Sequence, residues 1–482
     1  MLHRISTLTF TATALSVMLS CSTKTQETNT EAIAANNEAT VTSSERIKLI
    51  TLNPGHFHAA LVQKSMYDNV DPVVHVYAPA GDDVQEHLKK IEAYNTRPEA
   101  PTQWKEEVYT GDDYLQKMLA DKAGNVVVIA GNNQKKTEYI KTSVDAGLHV
   151  LADKPMAIDT ESFGLLKEAF ASAEKNNVLL YDIMTERYEI TTMLQREFSM
   201  LPEVFGTLQK GTPADPAITK ESVHHFFKYV SGMPLKRPAW FFDVTQEGEG
   251  IVDVTTHLVD LVQWECFPEQ AIDYEQDIIL TGARRWATNL SPAQFNQATG
   301  LAAYPAYLSK DIGKDSSLAV YSNGEINYQV KGIHVKVSVI WNYKAPEGAG
   351  DTHFSLMRGT KANLVIRQGQ EQGYKPQLSI EPAKGTDLDA FEKTLRANMA
   401  TVQQKYPGVE ISKSGNGWVV TAPEKYHDGH EAHFGQVTEK FLLYLAEGKM
   451  PDWEVPNMIA KYYTTTKALE MAKQKGNPTS RR

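Results

Sequence analysis

VVVIAGNNQKKTEYIKTSVDAGLHVLADKPMA, Val126 to Ala157, is the stretch whose pattern decides the fold. Val126-Val-Val-Ile-Ala130 is wholly apolar, as a strand covered on both faces of a sheet has to be. Asn132-Asn133-Gln-Lys-Lys136 leads into a helix that runs to Ala146, and Gly147 closes it. His149-Val-Leu-Ala-Asp153-Lys154 reads as the next strand, and Pro155, which has no amide hydrogen to give a ladder, ends it where Lys154 leaves the sheet. Strand, helix and strand in so short a span predict a parallel βαβ unit. A lysine at the carboxyl end of such a strand stands in the crevice where open parallel sheets bind ligands. Read alone, it could equally be a solvated surface lysine.

Working outward, Ile47 to Leu52 and Val73 to Tyr77 are strand candidates on the amino-terminal side, and 177–181 is one on the carboxyl-terminal side. Asn53-Pro54-Gly55 makes a turn, and helices are predicted from His58 to Lys64, over 84–94 and over 113–119. The alternation predicts an α/β fold, a doubly wound parallel sheet of the Rossmann type over residues 46–181. A chain of 482 residues exceeds one comfortable core, so a second domain is expected over 182–476. There, period-two runs near 278–282, 317–321, 325–330, 335–341, 353–357, 362–366 and 377–380 predict an α+β domain with a large, mostly antiparallel sheet. A helical insertion falls near 387–420, and a further helix over 434–447.

Gly250-Ile-Val-Asp253-Val-Thr-Thr-His257-Leu-Val-Asp260-Leu-Val-Gln-Trp264 is predicted as one helix, with Val254, Leu258, Leu261 and Val262 in an apolar stripe. Asp253 and His257 then lie one turn apart on a neighbouring face. That pairing sets a carboxylate beside a group that titrates near neutrality, which suits acid–base work, although a surface or capping role fits the same spacing.

The formal charge is −10, from 49 basic and 59 acidic residues, with no basic block longer than a pair, so a nucleic-acid partner is not expected. Residues 1–20 carry His3 and Arg4, then an apolar or small-residue run, and end at Met18-Leu-Ser-Cys21. This pattern predicts a lipoprotein signal peptide, with Cys21 as the lipid anchor of an exported, periplasm-facing bacterial lipoprotein. Residues 21–45 are polar and small, as a flexible tether would be. Only Cys266 remains beyond the anchor, so a cysteine-based metal site is excluded. His430, Glu431 and His433 lack zincin spacing and suit capping or inter-domain hydrogen bonds better, so no metal site is assigned.

Two motifs carry a family resemblance. Val126–Ala157 resembles the segment ending in Glu-Lys-Pro of the glucose-fructose oxidoreductase, inositol dehydrogenase and rhizopine-catabolism (Gfo/Idh/MocA) superfamily, with Asp153 in place of the glutamate. Gly248-Glu-Gly250-Ile-Val-Asp253-Val-Thr-Thr-His257-Leu-Val-Asp260 is similar to its Gly-Gly-x-x-x-Asp-x-x-x-His-x-x-Asp element. Within it the chain looks most like a bacterial branch with a distinctive carboxyl-terminal domain.

The resemblance implies an oxidoreductase that uses NAD or NADP on a secondary hydroxyl of a sugar, cyclitol or glycoside. Lys154 would hold the reactive hydroxyl, His257 would exchange its proton, and Asp253 would bind substrate and tune the histidine. The dinucleotide would lie against Asn53, Pro54, Gly55, His56, Phe57, Ala78, Asn132, Asn133, Lys154 and Pro155. Arg187 and Tyr188, at the family's Arg-aromatic junction, and His225, Lys236, Arg237 and Trp240 are candidate substrate contacts, while packing at the junction is the alternative for the first two. Subunit pairing through the second sheet is also implied. The same residues would serve redox-assisted glycoside cleavage, and a carbohydrate-binding lipoprotein without turnover is a third reading.

The chain departs from the family at its first turn. Of the usual Gly-x-Gly-x-x-Gly only Gly55 remains, and Tyr77-Ala78-Pro79 follows the second strand where an acid for the adenosine ribose is usual. This leaves three outcomes open: a 2'-phosphate on the cofactor, a different seat for it, or lost binding.

Overall fold

The computed structural model describes residues 46–230 and 233–475, so the signal-peptide pattern, Cys21 and the tether lie outside the described residues. The apolar runs at the amino-terminal side become β1 (Leu49–Leu52), β2 (Val73–Ala78), β3 (Lys105–Thr110), β4 (Val126–Ile129), β5 (His149–Asp153) and β6 (Leu180–Ile183). Every pairing among them is parallel, in the order β3-β2-β1-β4-β5-β6. That order reverses direction between β1 and β4, and the carboxyl ends of those two strands open the ligand crevice of a Rossmann sheet. β3 was not foreseen; its Lys-Glu-Glu-Val-Tyr-Thr is mostly exposed at the sheet edge and carries no buried-strand signature.

The rest of the chain adds β7 (Ile218–Phe227), β8 (Tyr229–Val230), β9 (Met233–Pro234), β10 (Ile278–Leu290), β11 (Leu318–Val330), β12 (Ile333–Lys344), β13 (Thr352–Arg358), β14 (Ala362–Gln368), β15 (Gln377–Pro382), β16 (Glu410–Ser414) and β17 (Gly417–Thr421). β8 and β9 pair only with each other; the others form one sheet, ordered β10-β11-β12-β7-β13-β14-β15-β17-β16. Only the β12–β7 pair is parallel, which is the mostly antiparallel α+β domain expected. Its core packs Ile326, Val337 and Val339 against Leu258, Val259 and Val262 of the helix Thr255–Cys266. The 387–420 insertion has its own core, in which Leu395 and Met399 of the helix Leu388–Lys405 meet Ile380 and Trp418.

Two differences from the sequence reading position the site. The helix predicted from Gly250 starts at Thr255, and Gly250 to Val254 form turns. Gly250 is pressed on β11: a Cβ there would stand 1.7 Å from the Ser322 carbonyl oxygen, so close an approach requires glycine and diverts the chain before the helix. The 22-residue helix Glu454–Lys475 was not predicted, because apolar side chains are spread around it and Thr464, Thr465 and Thr466, all buried, read as polar. It packs against β10 and against the helices Thr160–Lys175 and Thr255–Cys266, so it joins the two sheets. Met458 and Tyr462 from it, with Phe434 and Phe441 of the helix His430–Glu447, complete the core of the first sheet.

Candidate active site

The site is built on the end of β5. Asp153 is the last residue of the strand and buried, and Lys154 follows through a cis peptide bond to Pro155. The Lys154 ammonium pairs with the Asp253 carboxylate, brought across by the Gly250–Val254 turns. Burial alone would lower the Lys154 pKa, but the carboxylates of Asp253, Asp153 and Glu247 outweigh it and keep the amine above its ordinary value. The partner of Asp253 is thus Lys154 and not His257, which corrects the expected carboxylate–imidazole pair on one helix face.

His257 sits in the first turn of the helix Thr255–Cys266, with a buried Nδ1 that has no hydrogen-bond partner. Burial, then the nearby Lys154 charge, lowers its pKa to about 4, only partly offset by Glu186. The Lys154 ammonium is thus near enough to His257 for its charge to help keep that imidazole neutral.

The β4–α loop closes the site from the cofactor side. The backbone amide of Asn133 donates to the Gln246 carbonyl (2.8 Å), its side chain donates to the Glu247 carbonyl (2.7 Å), and the Asn132 side chain donates to Gln246 (2.6 Å). Lys136, fully buried, donates to the Asp153 carbonyl at 3.0 Å, and its burial lowers its pKa to about 8. Glu247 is driven well above the carboxylate range by burial and by Asp253.

Asn53, Pro54 and Gly55 form the turn at the end of β1, with Asn53 in the left-handed region at φ 47°. The turn lies on Gly131, where a Cβ would come within 2.5 Å of the Asn53 carbonyl oxygen. His56 and the exposed Phe57 follow, and Ala78 is buried at the end of β2. Asp83, near the start of the next helix, reaches back so that its carboxylate lies 3.0 Å from where a Cβ of Gly55 would be. It is an acid at the first turn that sequence reading missed, since it follows β2 several residues later than the usual position.

Several candidate substrate contacts are corrected. Arg187 is buried and holds Asp260 through two bonds of 2.7 Å and Glu454 through bonds of 3.0 and 3.1 Å, so its charge is taken up by two carboxylates inside the fold. Tyr188 packs on the core of the first sheet. Arg237 donates to the carbonyls of Phe226 and His225 and lies over the rings of Phe241 and Trp341, while Lys236 donates to the Gln297 carbonyl on the outside. Trp240 is buried. His225 is turned to Asp351 at 2.8 Å, and the adjacent His224 lies 3.7 Å from the other oxygen of the same carboxylate. Glu186, unassigned in sequence, faces the crevice instead, 3.4 Å from the His430 Nδ1 and within reach of the charge of His257. Nothing in the spacing of Thr185-Glu186-Arg187-Tyr188 distinguished the glutamate from the arginine.

Comparisons with known proteins place this geometry. Residues 55–182 match the family model described as "Oxidoreductase family, NAD-binding Rossmann fold", and residues 194–473 match "Putative oxidoreductase C terminal domain". A crystal structure of a protein from Parabacteroides merdae, described as a "putative oxidoreductase", is 64% identical, covers 89% of this chain and 98% of its own, and superposes with a TM-score of 0.88. The chain is a Gfo/Idh/MocA-type oxidoreductase with a distinct carboxyl-terminal domain. More distant members of the fold include levoglucosan dehydrogenase in complex with NADH and levoglucosan, at 12% identity, 89% and 98% coverage and a TM-score of 0.57. GenD2 from gentamicin A biosynthesis, in complex with NAD, is 14% identical with 90% and 95% coverage and a TM-score of 0.54. An uncharacterised oxidoreductase of Schizosaccharomyces pombe is 26% identical over 147 residues, 30% of this chain and 35% of that protein.

The oxidoreductase's own residues fit a dinucleotide at the β1–β4 crevice. The Gly55 and Gly131 backbones meet closely there, and Asp83 is the carboxylate that lies nearest the Gly55 turn.

Proposed function

We propose that this protein oxidises or reduces a secondary hydroxyl of a sugar, cyclitol or related glycoside, with NAD(H) as the redox partner. One observation carries the proposal: the Lys154–Asp253 pair at the carboxyl end of the Rossmann sheet lies near enough to His257 for its ammonium to help keep that imidazole neutral. When bound, the dinucleotide supplies the hydride acceptor or donor, chemistry that no side chain offers. Lys154 donates a hydrogen bond to the substrate hydroxyl oxygen and stabilises the negative charge that grows there in oxidation. His257, neutral at working pH, takes the hydroxyl proton, and returns it in the reverse direction. Asp253 fixes the ammonium in place. Asp83 favours an unmodified ribose, because a 2'-phosphate beside a carboxylate is repelled. The levoglucosan dehydrogenase complex supports a carbohydrate-like substrate, and GenD2 with NAD supports the choice of dinucleotide.

The test is a panel of sugars, cyclitols and glycosides assayed with NAD and NADP by nicotinamide absorbance. NAD-linked turnover of at least one member is expected; the absence of dinucleotide binding at high protein concentration sinks the proposal. We further propose, from Met18-Leu-Ser-Cys21 alone, an exported lipoprotein anchored through Cys21, whose cofactor is recycled in place. Membrane fractionation of the wild type against Cys21→Ala tests this, and a soluble wild type refutes it. Pairing of subunits through the nine-stranded sheet is proposed on the family resemblance.

A further inference from the structure

We propose that His56, His58 and Asp153 form a binding site for a divalent first-row transition cation. The three come from the turn after β1 and the end of β5, and their ligand atoms all lie within 4.8 Å of one another. The Asp153 Oδ2 is 2.9 Å from the Nδ1 of His58 and 3.8 Å from the Nδ1 of His56. Two ligands bound at 2.0–2.1 Å to one zinc-like ion stand about 3.3 Å apart in a tetrahedron, so the observed separations bracket the required one. Two imidazoles with one carboxylate are a donor set that suits such cations and leaves positions open for water or a ligand oxygen.

The surroundings prepare the donors. The Nδ1 of His56 is buried and has no hydrogen-bond partner among the described residues, a state that coordination would relieve. The Asp153 carboxylate is buried at the end of β5, with its Oδ2 turned to both histidines. Of the two neighbouring cations, Lys154 is paired with Asp253 and Lys136 donates to the Asp153 carbonyl. The rings of Phe57 and Phe434 flank His58 at 4.5 Å and limit access of bulk water. Where Nδ1 of His58 carries the proton shared with Asp153, cation binding at Nδ1 shifts the ring to its Nε2–H tautomer, with no net proton lost, and replaces the hydrogen bond with a coordinate bond.

The experiment uses the purified protein, stripped with a chelator and titrated with Co2+ while visible absorption is recorded, in parallel with equilibrium dialysis against Zn2+. The expected result is a saturable d–d absorption band and about one bound Zn2+ per chain, both lost in His56→Ala and in Asp153→Asn. The His56 Nδ1 has no hydrogen-bond partner among the described residues, and a cooperative thermal melt of His56→Ala separates ligand loss from misfolding. No cobalt band, or a band and Zn2+ stoichiometry that survive in folded His56→Ala, would overturn the assignment. The site adjoins the dinucleotide turn and the end of β5, but the readouts are cobalt absorption and zinc content rather than turnover, so they can fail or succeed without deciding the proposed function.

Discussion

At the scale of single residues, the proposed chemistry depends on keeping an imidazole uncharged beside an ammonium. His257 is lowered from 6.5 to about 4 by burial and by Lys154. The unprotonated base is therefore present throughout pH 5 to 8, and kcat/KM should be flat across that range on the acid side, falling only as pH approaches 4. An acid limb near 6.5 in the pH–rate profile would show that the histidine is more solvated than its position implies. Replacing the base, His257→Ala, should cost about a hundredfold or more in kcat and leave NADH fluorescence binding intact. Asp83→Ala should weaken NAD by about tenfold and narrow its advantage over NADP, read as the ratio of the two dissociation constants. An unchanged ratio would remove Asp83 from the ribose site.

Elements are locked to one another by ion pairs buried where the two sheets meet. Arg187, from the short helical turn after β6, binds Asp260 and Glu454, while Lys461 binds Asp260 (2.8 Å) and Asp182 (2.7 Å). The second aspartate of the family signature is thus the anchor of the helix that carries His257, and the Arg-Tyr junction is a joint rather than a substrate wall. Removing one partner from a buried network leaves the others uncompensated, so Arg187→Met should destabilise by about 3–5 kcal/mol in chemical denaturation. Arg187→Lys should recover little of this, since an ammonium lacks the planar fork that binds two carboxylates. Full recovery with lysine would mean that charge alone suffices.

Over the whole molecule, the first sheet is not completed by its own segment. Phe434, Phe441, Met458 and Tyr462, almost fully buried in its core, arrive from the end of the chain. Four such side chains at about 2 kcal/mol each rival the roughly 5–15 kcal/mol of net stability of a domain. A truncation ending at residue 428 should therefore lose cooperative unfolding by circular dichroism, and a well-folded truncated Rossmann domain would contradict this packing. The pH dependence of stability is set by buried histidines. His87, His257 and His353 are each lowered from 6.5 to about 4 by burial. Between these values the unfolded chain binds more protons than the native one, so stability rises with pH there and is lost as pH falls from 6.5 toward 4. The urea midpoint should be level above pH 7 and drop by pH 5; an unchanged midpoint at pH 5 would show these histidines to be hydrated.

Periodicity and the two motifs determined the Rossmann sheet, the antiparallel partner domain and the place of Lys154 at the end of its strand, because apolar alternation and strand-end position are local properties. Burial, however, is non-local. Whether Arg187 or Glu186 faced the crevice, whether Asp253 answered to His257 or to Lys154, and whether His56 and His58 would meet Asp153 depended on which chain segment packed opposite. The polar helix Glu454–Lys475 was illegible for the same reason: its threonines are buried only because two sheets close on it, and desolvation by distant segments leaves no mark on the sequence that suffers it.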